Sequence, residues 1–186
     1  MALLYANTYA VAVSNLGLQL VYSLLNHMDG VVCERFVYPE SGESLRSLES
    51  SRPLSDFPLV FGSISFEHDY PRLAAMLAAG GLAPFAAERD DYIAAGAPLV
   101  VLGGVAVFMN PEPLAPFADL MVIGEAEAVL EPLMALLQQA VGTDRTPLLA
   151  RIAASLPGCY VPGMYRFHYD EQDMLSAIEV NAGAPQ

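Results

Sequence analysis

Small polar residues and glycines follow several apolar runs of the sequence, at the points where strands would end. Ser63 and Ser65 follow one run, and Gly103 and Gly104 follow the next. Serine offers neutral hydrogen bonds, and glycine lets a ligand come close to the backbone. This chemistry suits a bulky, weakly charged ligand better than a triphosphate. The candidate binding residues are Ser14, Asn15, Ser63, Ser65, Gly103, Gly104, Gly124 and Glu125.

Two acidic residues, Glu125 and Glu127, stand at the start of a predicted helix, where carboxylates interact favourably with the helix dipole. The default interpretation of both glutamates is therefore structural. For Gly103 and Gly104 the corresponding structural interpretation is a tight turn. No nucleophile or proton partner accompanies the two carboxylates. The sequence predicts no catalytic residue.

The charge balance excludes several classes of function. The net charge is −13, and the eight basic residues are all arginines. Neutralisation of nucleic-acid phosphates is therefore disfavoured, and a Schiff-base or phosphate-loop lysine is excluded. No apolar run reaches the roughly 20 residues of a membrane span, so we expect no membrane partner. The start of the chain lacks a basic leader segment, and we expect a cytoplasmic location.

The residues that most often bind metals are scattered. Cys33 and Cys159 are far apart, and His27, His68 and His168 stand without a second histidine nearby. Zinc and iron–sulfur sites generally need three or four protein ligands. The sequence therefore predicts no metal site.

Alternating apolar runs and amphipathic segments must position the candidate residues. Such alternation predicts an α/β fold, a flavodoxin-like doubly wound parallel five-stranded sheet of order 2-1-3-4-5. Ligands of such sheets bind beyond the carboxyl ends of the strands, where the candidate residues lie. The predicted strands are Leu3 to Tyr5, Val31 to Tyr38, Leu59 to Ile64, Leu99 to Leu102 and Leu120 to Ile123, and the predicted helices are Leu16 to His27, Pro71 to Ala79 and Ala126 to Gln139.

The pattern changes after residue 141. Thr146 to Leu156 predicts a further helix, and Tyr160 to Tyr169 with Leu175 to Val180 predicts a β-hairpin. We therefore divide the chain into a ligand-binding domain, residues 1–141, and an extension of one helix and a hairpin, residues 142–186.

Three members of this fold class are disfavoured by their own motifs. The segment after the first strand is a poor phosphate loop for a flavodoxin, and the third strand lacks the aspartate of a response regulator. A dinucleotide fingerprint, G-x-G-x-x-G, is absent.

A set of short motifs in fixed order is more specific than any one of them. The motifs are Tyr5–Tyr9, Ser14–Tyr22, Cys33–Phe36, Ser47–Ser50, Pro53–Phe57, Gly62–Glu67, Ala86–Arg89, Gly103–Ala106, Asn110–Leu114 and Ile123–Glu127. Their order resembles the N-terminal cobalamin-binding-like domain of radical S-adenosylmethionine (radical SAM) proteins, over about residues 3 to 165.

The resemblance implies a radical SAM domain as the partner of this one, with a Cys-x-x-x-Cys-x-x-Cys motif that holds a 4Fe–4S cluster and S-adenosylmethionine. That motif is absent here, so we expect the chain to be the N-terminal part of such a protein and not to be catalytic alone. Fuller cobalamin domains place an axial histidine after the first strand, and this segment has none. The resemblance thus implies a corrinoid held without a protein ligand to cobalt.

In that arrangement the resemblance places Ser63, Ser65, Gly103 and Gly104 along the ligand tail. Two alternatives remain open. The chain could be an interaction or assembly domain with a vestigial pocket, or a stand-alone binder of flavin or nucleotide.

Overall fold

Six strands form the central sheet of this protein in a computed structural model that describes residues 1–181 and 184. They lie in the order β2-β1-β3-β4-β5-β6, with parallel pairing from β2 to β5 and antiparallel pairing of β6 with β5. The predicted fold class and the order 2-1-3-4-5 are confirmed, with β6 added. The strands are β1 (Ala2–Tyr5), β2 (Glu34–Val37), β3 (Leu59–Ser63), β4 (Leu99–Gly103), β5 (Leu120–Val122) and β6 (Cys159–Tyr160).

Helices cover both faces of the sheet. None in the described part of the chain combines the length and the apolar character needed to cross a membrane. The predicted helices are confirmed to within about two residues at each end. The helices are α1 (Tyr9–Ser14), α2 (Leu16–His27), α3 (Tyr70–Ala79), α4 (Val105–Met109), α5 (Ala126–Leu137) and α6 (Arg145–Ser155).

Alternate strand residues supply two separate hydrophobic clusters because successive side chains point to opposite faces. Leu3, Phe61 and Val101 pack with α2, α5 and α6 on one face. Leu4 and Val60 pack with α3 on the other. Burial on both faces explains why the strands are continuous apolar runs instead of alternating ones.

Two short helices, α1 and α4, lie outside the predicted helices. Each spans less than two turns, which is too short for a helical period to show in the sequence. Both follow a strand exit, so they shape the carboxyl edge of the sheet.

The predicted β-hairpin is confirmed, but its predicted first strand, Tyr160 to Tyr169, is divided in the structure. Its first part is β6, and a 3-10 turn at Pro162–Met164 separates it from β7 (Tyr165–Tyr169), which pairs with β8 (Leu175–Val180). Pro162 has no backbone N–H and interrupts the strand pairing.

The extension packs closely on the sheet. Leu148, Leu149 and Ile152 of α6 belong to the same buried cluster as Leu3, and β6 continues the sheet itself. The division at residue 141 stays a prediction, and the last part of the extension, residues 182–183 and 185–186, lies outside the described residues.

The outer side of β2 is partly covered by the segment that follows it. The Leu48 N–H donates to the Arg35 carbonyl at 2.8 Å, and the Arg35 N–H donates to the Glu49 carboxylate at 2.7 Å. At the other end of the sheet, β6 is joined to β5 by a hydrogen bond of 2.7 Å from the Ile123 N–H to the Gly158 carbonyl. The main chain of Arg35 at the β2 edge therefore has partners within the chain.

A buried ion cluster holds the amino end of the sheet. Asp119 Oδ2 accepts hydrogen bonds from Arg89 Nη1 at 2.8 Å and from the Val100 N–H at 2.7 Å. Its Oδ1 accepts from Arg145 Nη1 at 3.1 Å. The cluster ties β4, the segment before β5 and the start of α6 together, at the edge opposite to the candidate residues.

Candidate functional site

The strand register brings three exits to one edge of the sheet. Tyr5 pairs with Ser63, and Ser63 pairs with Gly103. These residues therefore lie side by side where β1, β3 and β4 end. The prediction that the strand exits meet at one edge is confirmed.

A cavity of about 500 Å³ opens at this edge, between the sheet, α2 and α5. Leu3, Phe61 and Val101 of the sheet line it, together with Leu20 of α2 and Leu130 of α5. Most of this lining is apolar. The remaining lining residues are Gly17, Val21, Gly62, Ser63, Leu102, Gly103, Gly104, Val105, Phe108, Val122, Gly124, Glu125, Ala126 and Glu127.

Five of the eight candidate residues line this cavity, namely Ser63, Gly103, Gly104, Gly124 and Glu125. Ser14, Asn15 and Ser65 do not. Ser14 is exposed, and its hydroxyl donates to the Val11 carbonyl at 2.9 Å.

Asn15 forms hydrogen bonds within the protein and does not line the cavity. Its Oδ1 accepts a hydrogen bond from the Leu18 N–H at 2.8 Å, which caps the start of α2. Its Nδ2 donates to Tyr5 Oη at 3.1 Å and to Ser65 Oγ at 3.2 Å. One side chain thus connects α2, β1 and the segment after β3. All polar atoms of Asn15 are engaged inside the protein.

The two glycines at the end of β4 differ in what surrounds them. Gly104 has φ +110°, and a Cβ there would meet the Ile64 carbonyl oxygen at 2.5 Å. A Cβ on Gly103 would lie 3.7 Å from the Val122 oxygen, at ordinary contact distance. Gly104 is therefore required by packing within the protein. Gly103 lines the cavity, and a small side chain at this position would have room.

Acidic residues stand at one lip of the cavity. Glu125 precedes α5, and Glu127 lies in its first turn. Both are exposed, and neither has a hydrogen-bond or ion-pair partner among the described residues. The lining contains no arginine or histidine. The cavity therefore combines an apolar interior with a negative lip.

Large apolar side chains surround the opening. Leu20 is 41% exposed, Val105 is 66% exposed and Phe108 is 60% exposed, although all three line the cavity. Met109, at the end of α4, is 74% exposed. Sequence reasoning missed these residues. The uninterrupted apolar run from Val105 to Met109, directly after two glycines, was the available signal.

A second cluster of polar side chains lies beyond the ends of β1 and β3. Buried Asp69 accepts from Asn7 Nδ2 at 3.2 Å and from the Phe66 N–H at 3.1 Å. The His68 ring stacks on Phe66 with 5.3 Å between centroids. No group of three or more His, Cys, Asp or Glu side chains that could hold a metal occurs in the described part of the chain.

The lining is compatible with the tail of a corrinoid. An aromatic base needs an apolar slot, and the strand end at Gly103 leaves room that a side chain would fill. The cavity lining offers no imidazole to a cobalt ion. The lining therefore has room and apolar surface for an aromatic base, and it has no histidine side chain that would bind cobalt.

Comparison with known protein families gives a match over most of the chain. Residues 17–162, more than half of the chain, match the family described as radical SAM proteins, N-terminal. Neither the curated proteins nor the solved structures include a match. The matched range contains the whole lining of the cavity except Leu3. The chain therefore belongs to the N-terminal domain family of radical SAM proteins.

Proposed function

We propose that this chain is a corrinoid-binding accessory domain of a radical SAM protein. Radical SAM chemistry itself uses an iron–sulfur cluster and S-adenosylmethionine, and we assign both to a separate catalytic domain of the whole protein. The apolar cavity at the carboxyl edge of the sheet is the observation that carries the proposal.

In this proposal the cavity receives the base-bearing tail of the corrinoid. Leu20 and Leu130 lie on either side of the base, and Ser63 offers a neutral hydrogen bond near the opening. The exposed side chains of Val105 and Phe108 give the flat corrin ring an apolar surface next to the cavity. A bound corrinoid supplies a cobalt centre for radical or group-transfer chemistry.

The residues of this chain bind, orient and shield the ligand, and none acts as an acid or base on it. The absence of histidine from the cavity lining agrees with binding through the tail and apolar contacts, without a protein ligand to cobalt. The tail should then carry much of the affinity.

The test is a titration of the chain with hydroxocobalamin, followed by desalting and absorption spectroscopy. We expect retained corrinoid bands, and much weaker retention of cobinamide, which lacks the nucleotide tail. A colourless protein after desalting would refute the proposal.

A size series at Gly103 supplies the matched control. Gly103→Leu should fill the cavity and abolish retention, whereas Gly103→Ala, whose Cβ has room, should retain most of it. Thermal unfolding of both variants shows whether the fold persists. If both variants retained the corrinoid equally, the ligand would bind outside this cavity.

A second candidate function is an interaction domain with an empty cavity. The exposure of Val105, Phe108 and Met109 on α4 favours it, because large apolar groups grouped on a surface mark contact sites. Under this alternative, cobalamin would not bind, and Phe108→Ser would weaken association with the catalytic domain without changing any ligand affinity.

A further inference from the structure

Helix α5 starts at the cavity, and its first residues carry negative charge, which is unusual for a ligand site at a helix amino terminus. A helix amino terminus has a partial positive charge and free N–H groups, which make it a natural place for phosphate. Here Glu125 precedes the helix and Glu127 occupies its first turn. Two carboxylates more than cancel the partial charge of about +0.5 that the helix provides.

No cation compensates these carboxylates. The cavity lining has no basic residue, and the chain has no lysine. Neither glutamate forms an ion pair with another described residue. A phosphate monoester that approached the start of α5 would therefore meet negative charge.

The interior offers no alternative site for such a phosphate. Leu3, Phe61, Val101 and Leu130 surround the inner part of the cavity, and an unpaired charge there would be costly. An uncharged aromatic ring would instead bury apolar surface on the same residues.

We propose that Glu125 and Glu127 make this cavity favour ring-bearing ligands that lack a phosphate monoester, because the two carboxylates repel its double negative charge. The inference rests on the proposed position of the ligand site, although it does not require that the ligand be a corrinoid. It concerns the specificity of the site, and the two residues act by electrostatic repulsion.

Riboflavin and flavin mononucleotide test the inference, because they share one ring system and differ by a phosphate. Their fluorescence is titrated with wild-type chain, with the double variant E125Q/E127Q and with E131Q. Glu131 lies on the same helix but lines a separate surface groove, so E131Q is the matched control.

For the wild type we expect riboflavin to bind at least about tenfold more tightly than flavin mononucleotide. E125Q/E127Q should remove most of that ratio by improving affinity for flavin mononucleotide, and riboflavin affinity should change little. E131Q should keep the wild-type ratio. Thermal unfolding of each variant excludes a loss of structure as the cause.

Three results would overturn the inference: equal binding of the two flavins to the wild type, an unchanged ratio in E125Q/E127Q, or no binding of riboflavin at its solubility limit. The cobalamin titration is separate. If the chain does not bind cobalamin but discriminates between the flavins through the two glutamates, the corrinoid proposal is refuted and the selectivity stands. A chain that retains cobalamin but binds both flavins equally refutes only the selectivity.

Discussion

A Cβ on Gly104 would lie 2.5 Å from the carbonyl oxygen of Ile64 and 3.0 Å from its amide nitrogen. The same carbonyl accepts a hydrogen bond from the Ala106 N–H at 3.2 Å, so the segments after β3 and β4 are joined here. We expect Gly104→Ala to lower the free energy of unfolding by about 3 kcal/mol or more, from backbone strain and steric overlap. Urea unfolding measures the change.

Gly103→Ala is the control for that substitution. Its new Cβ has ordinary contact distances, and Gly103 has no positive φ. We expect a change within about 1 kcal/mol. Similar losses in the two variants would contradict the assignment of Gly104 to internal packing.

Asn15 should support the cavity wall through the start of α2. Asn15→Ala removes the cap on the Leu18 N–H and the donors to Tyr5 and Ser65, so we expect a loss of about 1–3 kcal/mol. Asn15→Asp keeps the cap acceptor and should lose less. Urea unfolding distinguishes the two variants, and an unchanged Asn15→Ala would show that this network does not hold the helix.

Asp119 should be far more important for stability than an exposed aspartate. Asp119→Asn leaves the buried guanidinium groups of Arg89 and Arg145 without a counter-charge, and we expect a loss of about 3–5 kcal/mol. Asp56, paired with Arg52 at the surface, is the control, and Asp56→Asn should cost at most about 1 kcal/mol. Comparable denaturation midpoints for the two variants would contradict this expectation.

Both cysteines should be unreactive in the folded protein. Burial raises the pKa of the Cys33 thiol to about 12 and that of Cys159 to about 11. The thiolate is the reactive form, so at pH 8 we expect slow reaction with Ellman's reagent in buffer and rapid reaction of both thiols in urea. Fast labelling of the native protein would show that one thiol is accessible.

The same shift of Cys33 predicts a loss of stability in alkali. The unfolded thiol ionises near pH 8.5, whereas the folded thiol stays neutral, so its contribution is complete below that pH and is lost as the pH rises towards about 12. We expect Cys33 to account for up to about 1.4 kcal/mol per pH unit in this window. Urea unfolding of wild type and Cys33→Val at pH 8 and pH 10 measures this contribution. An equal loss of free energy of unfolding in the two proteins between these pH values would contradict the prediction.

The parallel sheet and its order were predictable because β3, β4 and β5 are continuous apolar runs that lead into serine or glycine. The register then aligns Tyr5, Ser63 and Gly103, so the position of the site follows from the topology. Helix α4 was not predictable, since its exposed Val105 and Phe108 lack the apolar period that packing on a core imposes.

The part of the site that sequence reasoning misjudged is the role of individual side chains. Asn15 precedes the helical period of α2, so its cap on Leu18 is expected from the sequence, but only the structure shows its amide donating to Tyr5 and Ser65. Gly104 suggests close approach of a ligand, whereas its neighbour is the backbone at Ile64. Such contacts join segments that are distant in sequence, and no local pattern encodes them.

The covered edge at β2 restricts how this domain can assemble. Segment 47–49 lies beside β2, where Leu48 and Glu49 take up the main-chain groups of Arg35. Addition of a strand from a neighbouring chain, a common route to uncontrolled polymerisation, is therefore disfavoured at this edge. Docking beside β2 must then proceed through side chains, whose size and chemistry can discriminate between partners.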